Sequence, residues 1–374
     1  MMAKNLAVFA LSTMILVFLF GTFIVAAEDA VFIEGVRSIG MGGAFVAVAD
    51  DENLLFFNPA GLVNIDDSRL SIYGLRLGIN TDTVETVENL VSSRSKAGSW
   101  RKLSEKSVNK LSEFEPLGNI SGPFEIVYIR PHFAFAFLDM AKNKAKYSYI
   151  EGKSDVLISS RVDFIGAISC GVGPYHLHER YLPGGLSIGG TTKYISRSWI
   201  AENHIWDLTG FKPTAKIGRG LGFDLGILYE IRDNLNLGLS IRDFSGTKLM
   251  WREKLVNRSL KVEKSISKTN ISKDFTLGMC YKPDWEIPYW LSDAIFALDI
   301  GAFRLFFKEL HFGSEVKLFH HLFLRAGFGD GFRFGVGIRT QILFIDYAYV
   351  PKLKDEYLDY TAVNNHFLSI ILRY

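Results

Sequence analysis

The sequence predicts an all-β fold, an antiparallel up-and-down transmembrane β-barrel of about 14 strands. Three observations support this prediction. Apolar residues alternate with polar or glycine residues through most of the chain, the gaps between alternating segments vary regularly in length, and the chain ends on an alternating strand. Alternation with a period of two gives each strand one apolar and one polar face, which is typical of an antiparallel sheet.

Residues 1–27 are predicted to be a cleaved signal peptide. Lys4 is the only charged residue before Glu28, an apolar run lies between them, and small residues at 25–27 offer a cleavage site. An uncleaved membrane anchor is the alternative, because the apolar run approaches the length of a span. The formal net charge of +2 gives no reason to expect nucleic acid as a partner.

Residues 28–66 precede the first predicted strand and are expected to form a separate N-terminal segment. An Asn-Pro pair can cap and begin a short helix, the neighbouring apolar side chains supply a packing surface, and glycine permits close backbone approach. Two interpretations stay open: a packing segment that closes the pore, or direct contact with a ligand. The candidate residues for both are Leu54, Phe56, Phe57, Asn58, Pro59 and Gly61.

Residues 67–374 are predicted to form the barrel. One face of each alternating segment is apolar, and glycine recurs on the other face, as expected when the apolar face meets lipid and the other meets a lumen. A soluble sandwich or barrel is the competing architecture. The predicted strands are 68–80, 124–130, 132–150, 155–173, 183–197, 219–231, 234–250, 271–283, 292–305, 308–319, 321–329, 332–339, 342–350 and 364–374.

One strand illustrates the expected orientation. Its apolar positions are predicted to face lipid, whereas Asp224 and Glu230 are predicted to face the lumen. Lumen charges of both signs are expected to form cross-strand ion pairs that hold the barrel. Those apolar positions are Leu221, Phe223, Leu225, Ile227 and Tyr229.

The gaps between the predicted strands favour the membrane barrel. The four longest, 81–123, 198–218, 251–270 and 351–363, all follow odd-numbered strands, as expected for long external loops and short periplasmic turns. Helical spacing inside the first gap predicts a pair of helices, which either cover the pore mouth or pack on the barrel rim.

Tryptophans at strand ends are expected to belong to interfacial girdles. Trp199 and Trp251 end their strands at the external side, and Trp290 flanks a periplasmic turn. Burial in a soluble core is the alternative. Cys170 falls on the apolar face of its strand and Cys280 on the opposite face of another, so these thiols are predicted to stay apart.

The stretch from Gly35 to Leu62 and the chain's end carry a family resemblance. Gly-Met-Gly-Gly-Ala at 40–44, Ala-Asp-Asp at 49–51 and Asn-Pro-Ala-Gly-Leu at 58–62 resemble the N-terminal segment of FadL/TodX-like outer-membrane transport proteins and their PorV-like relatives. The sequence Asp-Tyr-Ala-Tyr at 346–349 resembles their last hairpin. The resemblance implies 14 strands, an N-terminal plug in the lumen formed by residues 28–66, transport of hydrophobic molecules and a lateral exit through the wall beside the plug.

The last strand adds a further signal. The residues HFLSIILRY alternate up to Tyr374, which resembles the signal that barrel-assembly machinery recognises in outer-membrane clients. Expected partners are therefore outer-membrane lipid, this machinery and a hydrophobic small molecule. A protein of a secretion system is the alternative partner, suited to a PorV-like docking barrel.

Catalytic and cofactor sites are not predicted. The glycines at 40–43 lack the ending of a phosphate-binding loop, and no serine lies in a nucleophile elbow. His176, His178 and Glu179 could ligate a metal, but a solvated turn explains them as well. An enzyme is therefore the least favoured class. Passive diffusion of long-chain fatty acid-like molecules across the outer membrane is the favoured function, and an open aqueous porin remains an alternative.

Overall fold

The computed structural model describes residues 35–97, 117–121, 125–150, 153–176, 184–204, 214–255, 262–271, 273–284, 290–301, 310–355 and 360–374. Strands dominate this part of the chain. They are β1 (Arg69–Asn80), β2 (Leu117–Ser121), β3 (Glu125–Arg130), β4 (Phe133–Ile150), β5 (Lys153–His176), β6 (Gly185–His204), β7 (Thr214–Arg232), β8 (Leu235–Arg242), β9 (Thr247–Leu255), β10 (Val262–Ile271), β11 (Asp274–Tyr281), β12 (Leu291–Gly301), β13 (Leu310–Leu318), β14 (Leu322–Phe328), β15 (Phe332–Arg339), β16 (Leu343–Asp355) and β17 (Tyr360–Arg373).

These segments build a closed antiparallel barrel of 14 strands, because three barrel strands consist of two segments each. β2 and β3 both pair with β1 and β4. β8 and β9 both pair with β7, and on their other side β8 pairs with β11 and β9 pairs with β10. β17 pairs with β1 and closes the barrel. The predicted fold class and strand number are confirmed.

Four helices accompany the barrel within the described residues. α1 (Val36–Gly40), α2 (Leu54–Phe57) and a 3-10 helix (Pro59–Asn64) precede the first strand, and α3 (Thr81–Ala97) follows it. No helix in the described part of the chain is long and apolar enough to cross a membrane. α3 is the first of the two helices that the spacing predicts; the second falls on residues 98–116, which lie outside the described residues.

Side chains on the barrel wall alternate between solvent exposure and burial, as predicted. On β7, Leu221 and Leu225 are 56% and 38% exposed, whereas Asp224 between them is 3% exposed. The buried charges form the predicted cross-strand ion pairs. Lys193 on β6 meets Asp224 at 2.8 Å, for example, and Arg325 on β14 meets Glu315 at 2.6 Å. The outward face is therefore apolar and the inward face carries the paired charges.

Three of the predicted long loops are largely strand, which corrects the loop prediction. β6 continues to His204, β7 begins at Thr214, β9 and β10 fill most of 251–270, and β16 and β17 reach Asp355 and Tyr360. The physical reason is that both faces become polar where a strand leaves the lipid band, so alternation is lost although pairing continues. We call this end of the barrel the far rim, and the end that carries Tyr374 the C-terminal rim.

The aromatic and cysteine predictions have mixed outcomes. Trp251 is 7% exposed, faces inward and donates from its indole N–H to Thr269 Oγ1 at 2.7 Å, so its assignment to a girdle is wrong. Trp199 also packs against a buried apolar cluster, whereas Trp290 at the C-terminal rim is 49% exposed. The cysteines stay apart, Cys170 exposed and Cys280 buried, as predicted.

Candidate functional site

The segment from Gly35 to Leu62 lies inside the barrel and is the candidate functional site. Every residue in it is buried except Asp50, which is partly exposed. We call residues 35–66 the plug. Its backbone turns several times within the lumen, because short helices alternate with turns at the glycines, and Gly42 and Gly43 adopt φ values of 70° and 85° that favour glycine.

Asn58 fixes the middle of the plug. Its Oδ1 accepts a hydrogen bond from Ala60 N–H at 3.1 Å and so caps the 3-10 helix that begins at Pro59. Its Nδ2 donates to Val46 O at 2.9 Å and to Ile227 O at 3.0 Å. One side chain thus joins two turns of the plug to each other and to β7.

The sequence-derived candidates fall into two neighbouring groups. Leu54 and Phe56 pack in a cluster with apolar residues of the wall, whereas Phe57 packs in a second cluster against Phe45, with ring centroids 5.3 Å apart. A Cβ on Gly61 would lie 2.2 Å from Ala49 O, so Gly61 is a point of close backbone contact within the plug. The structure gives each of these residues a packing role, and direct contact with a ligand stays a prediction.

Glycines on the inward faces of the strands form the seat of the plug. A Cβ on Gly189 would lie 2.3 Å from the carbonyl carbon of Pro59, and a Cβ on Gly226 would lie 2.1 Å from Asn58 Oδ1. Gly189 pairs with both Gly171 and Gly226, so the seat runs continuously across three strands. Its members are Gly171, Gly189, Gly226, Gly238, Gly278, Gly313, Gly327 and Gly335.

This seat explains the glycine pattern in the sequence. Recurrent glycine on the polar face was expected of a lumen, and the structure gives the specific cause: the plug backbone rests on the wall where a side chain would collide with it. Any larger residue at 189 or 226 must displace the plug, because the atoms in the way belong to the backbone or to the capping side chain.

Arg37 anchors the first turn of the plug to β13. The guanidinium donates to both oxygens of Glu315, at 2.9 and 2.7 Å, and to Asp51 Oδ2 at 2.9 Å. Arg325 continues the network from Glu315 to Asp346, with contacts of 2.6 Å on each side. Bidentate, charge-assisted contacts of this kind are among the strong polar interactions of proteins.

Both plug residues of this anchor have shifted pKa values. Burial alone would raise the pKa of Asp51, but the guanidinium groups of Arg37 and Arg339 outweigh it and hold that pKa at about 2. Burial alone would lower the pKa of Arg37, but the carboxylates of Asp50, Glu315 and Asp51 outweigh it and raise that pKa. The anchor is therefore fully ionised at neutral pH.

Two further contacts were not predicted from the sequence. Asp299 on β12 accepts hydrogen bonds from the N–H groups of Phe45 and Val46 at 2.7 and 2.9 Å, so it caps a turn of the plug. Glu52 accepts from Arg373 on β17 at 2.7 Å and from the hydroxyl of Ser71 on β1. The inward position of Asp299 follows from alternation on β12, but its partner could not be known without the plug's path.

The lumen wall has two chemically different sides. Beside β13–β16 the inward residues include the charged partners of the Arg37 network. On β3–β6, part of the inward face is apolar and packs against Leu54, Leu55 and Phe56 of the plug, and buried charges such as Asp163 and Lys193 lie elsewhere on the same strands. We call this part the apolar side; its wall residues are Val127, Ile129, Ala134, Ala136, Leu138, Ile165, Ala167 and Ile195.

The first strand is irregular next to the apolar side. β1 pairs with β3 up to Tyr73 opposite Glu125, and with β2 from Arg76 opposite Ser121. A bulge in β1 falls between Tyr73 and Leu75, at the same level. Arg76 Nη2 lies 3.2 Å from Glu125 Oε2, so an ion pair joins β1 to β3 on the inside of the wall.

The site contains no group of three or more His, Cys, Asp or Glu arranged to hold a metal ion, within the residues described. His176 ends β5 at the C-terminal rim, and His178 and Glu179 lie outside the described residues. The arrangement is one of a closed lumen with a seated plug, an apolar side and a charged side.

Comparison with known proteins identifies the fold. No family model and no curated protein matches the chain. The toluene transporter TbuX from Ralstonia pickettii is similar over 91% of this chain and 97% of its own, with a TM-score of 0.51 and 12% sequence identity. A TodX monoaromatic hydrocarbon channel, the ΔS2S3 mutant, is similar over 91% and 98%, with a TM-score of 0.51 and 12% identity. At this identity the likeness shows the fold alone, which is that of the FadL/TodX-like outer-membrane transporters.

Proposed function

We propose, from this FadL/TodX-like fold, that the chain is an outer-membrane barrel through which small hydrophobic molecules pass by passive diffusion. Long-chain, fatty acid-like molecules are the proposed cargo. Two structural neighbours are a toluene transporter and a monoaromatic hydrocarbon channel, which supports cargo of this general chemistry. Export by a cleaved signal peptide at residues 1–27 belongs to the same proposal.

The apolar side of the lumen carries the proposal. The lumen of an aqueous porin is polar, because water fills it. Here β3–β5 have a stretch that is apolar on both faces, with Ala136 and Ile165 buried inward and Phe135 and Phe164 exposed outward. A molecule moving along this side gains about 0.8 kcal/mol for each methylene that leaves water. That partitioning drives entry without an energy source in the chain.

The proposed exit is the bulge of β1 between Tyr73 and Leu75. It lies beside the apolar side, and the ion pair between Arg76 on β1 and Glu125 on β3 lies at the same level. A hydrophobic molecule leaving here would enter the bilayer directly and avoid water. A lateral exit is what the family resemblance implies, and this is the place in the described wall that fits it best.

Uptake of a fluorescent fatty acid into liposomes tests the proposal. Proteoliposomes with the full chain are expected to take up the probe faster than empty ones, and equal rates would refute the function. Ala136→Gln places a polar group on the apolar side and should slow uptake. Ala297→Gln on β12 is the matched control, because Ala297 is also buried, at 2% exposure, but outside the apolar side.

A docking barrel of the PorV-like kind is the second candidate, and the length of the strands β5 and β6 favours it. β5 and β6 contain 24 and 20 residues, whereas a tilted strand spans a bilayer with about 9–11. The residues of β5 and β6 beyond the length needed to span the bilayer lie at the far rim and offer surface to another protein. Crosslinking in intact membranes distinguishes the two candidates: a docking barrel recovers a stoichiometric protein partner, and a transporter does not.

A further inference from the structure

Four cationic side chains form a cluster on the outer surface of the barrel. They are exposed and occupy outward positions on three adjacent strands. Arg219 lies on β7, Lys248 and Arg252 on β9, and Lys268 on β10. We call these four residues the basic cluster.

The strand register places the basic cluster in one compact area. Met250 pairs with Arg219 on one side and with Lys268 on the other. Lys248 and Arg252 lie two residues to either side of Met250 on the same strand, so they share its outward face. With strands about 4.8 Å apart and about 3.4 Å per residue, the four Cα atoms lie within roughly 10 Å by 14 Å.

The basic cluster has no counter-charge on the described surface. Lumen cations such as Lys193 and Arg325 each contact carboxylates, whereas the structure gives no ion pair to any of these four. The neighbouring outward positions that are described are apolar or uncharged, namely Tyr194, Ser196, Ser198, Ile217, Leu221, Met250 and Asn270. Four like charges this close repel one another unless an anion lies among them.

The position of the basic cluster along the barrel indicates where that anion lies. On β7, Arg219 is followed on the same face by Leu221, Phe223 and Leu225, which are 56%, 37% and 38% exposed and belong to the apolar outer band. The cluster therefore lies where this band ends toward the far rim. Lipid headgroups occupy that depth in a membrane.

We propose that the basic cluster is a binding site for the phosphorylated headgroup of a lipid in the leaflet at the far rim. Two arginines offer planar forks that match phosphate oxygens, and two lysines add point charges. Ser196, which pairs with Arg219, adds a hydroxyl at the edge of the site. Met250, 56% exposed in the centre, contacts the apolar part of the same lipid.

The chemistry favours a phosphomonoester over a phosphodiester headgroup. A phosphomonoester carries close to two negative charges at neutral pH, whereas a phosphodiester carries one. Four cations without ion pairs within reach of one headgroup match the double charge better than the single charge. The site depends on the transmembrane fold and holds whether or not the barrel transports hydrophobic molecules.

Native mass spectrometry of the full-length protein in detergent tests the proposal. The probe lipids are dioleoyl phosphatidic acid, dioleoyl phosphatidylglycerol and dioleoyl phosphatidylcholine, each titrated separately. The wild type is expected to retain one phosphatidic acid at least about tenfold more tightly than phosphatidylcholine, with phosphatidylglycerol between them. The variant Arg219→Gln, Lys248→Gln, Arg252→Gln, Lys268→Gln is expected to lose this preference.

A matched variant separates the site from general electrostatics. Arg130→Gln, Arg232→Gln, Lys282→Gln and Lys352→Gln remove the same number of arginines and lysines from positions away from the cluster. It should keep the wild-type preference. No preference in the wild type, or an equal loss in both variants, would overturn the proposal, and retention of the preference without the basic cluster would do the same.

Discussion

Replacement of Arg37 by methionine should unseat the plug. The guanidinium is 4% exposed and is the group through which Asp51 of the plug and Glu315 of the wall are joined. Methionine keeps much of the side-chain volume but provides neither charge nor donors. The two buried carboxylates of Asp51 and Glu315, 7% and 4% exposed, then lose the positive charge that both of them contact.

The expected magnitude follows from the burial of these carboxylates. Removing one partner of a buried ion pair costs about 3–5 kcal/mol, because a buried charge is left uncompensated. The lower end applies here, since Glu315 keeps its 2.6 Å contact with Arg325. About 3 kcal/mol corresponds to a fall of roughly 150-fold in the equilibrium between seated and unseated plug.

Ion conductance in planar bilayers measures this equilibrium. The Arg37→Met barrel is expected to show openings that are roughly 150-fold more populated than in the wild type. Adding Asp51→Asn to Arg37→Met should restore much of the closed state, because it removes the uncompensated charge on the plug. Arg197→Met is the control, since Arg197 joins Asp163 across β5 and β6 within the wall. A folded Arg37→Met barrel that conducts no more than the wild type would refute the anchor role.

Three further predictions address the wall, the seat and the acid dependence of the anchor. Leu225→Arg should cost about 2–4 kcal/mol in urea titrations of the reconstituted barrel, and a spin label at 225, unlike one at 224, should be quenched by an apolar agent in the bilayer; equal quenching would contradict the assigned faces. Gly189→Val should raise conductance by displacing the plug backbone, whereas Gly166→Val, whose Cβ meets nothing within 4 Å, should not. The pKa of Asp51 in the folded protein, about 2, lies below its ordinary value of 3.8, so the stabilising contribution of Asp51 is present above pH 3.8 and is lost as the pH falls toward 2. Conductance recorded from pH 6 to about pH 2 should therefore rise in the wild type and rise less with Asp51→Asn.

The sequence predicted the parts of the fold that depend on alternation. Leu221 to Leu225 alternates because lipid and lumen demand different chemistry on the two faces, so strand count and orientation follow from the pattern. Beyond the lipid band that contrast disappears, and the ends of β6, β7 and β9 and nearly all of β10 were therefore predicted as loops. Trp251 was assigned outward for the same reason, because its position was judged by distance along the strand rather than by alternation with exposed Met250.

The sequence predicted which residues form the candidate site but not which wall residues they contact. Asn58 and Pro59 carry a local capping signal, and the structure has that cap. The partners of Arg37 and Asp299 are 278 and 254 residues away in sequence, and no local pattern reports a contact of that separation. Glycine on the inward face was visible, but its cause depends on the path of a second segment through the lumen.

The contacts of Glu52 have a consequence for the order of assembly. This plug residue binds Ser71 on the first strand and Arg373 on the last, and these two residues are register partners where the barrel closes. Both contacts exist together only after the two ends of the sheet have met, so the plug cannot complete its attachment while the chain is still being inserted. A strand closing in the wrong register would offset Ser71 from Arg373 and deprive Glu52 of one partner. The Glu52 carboxylate thus makes both of its contacts only in a barrel that has closed in the correct register.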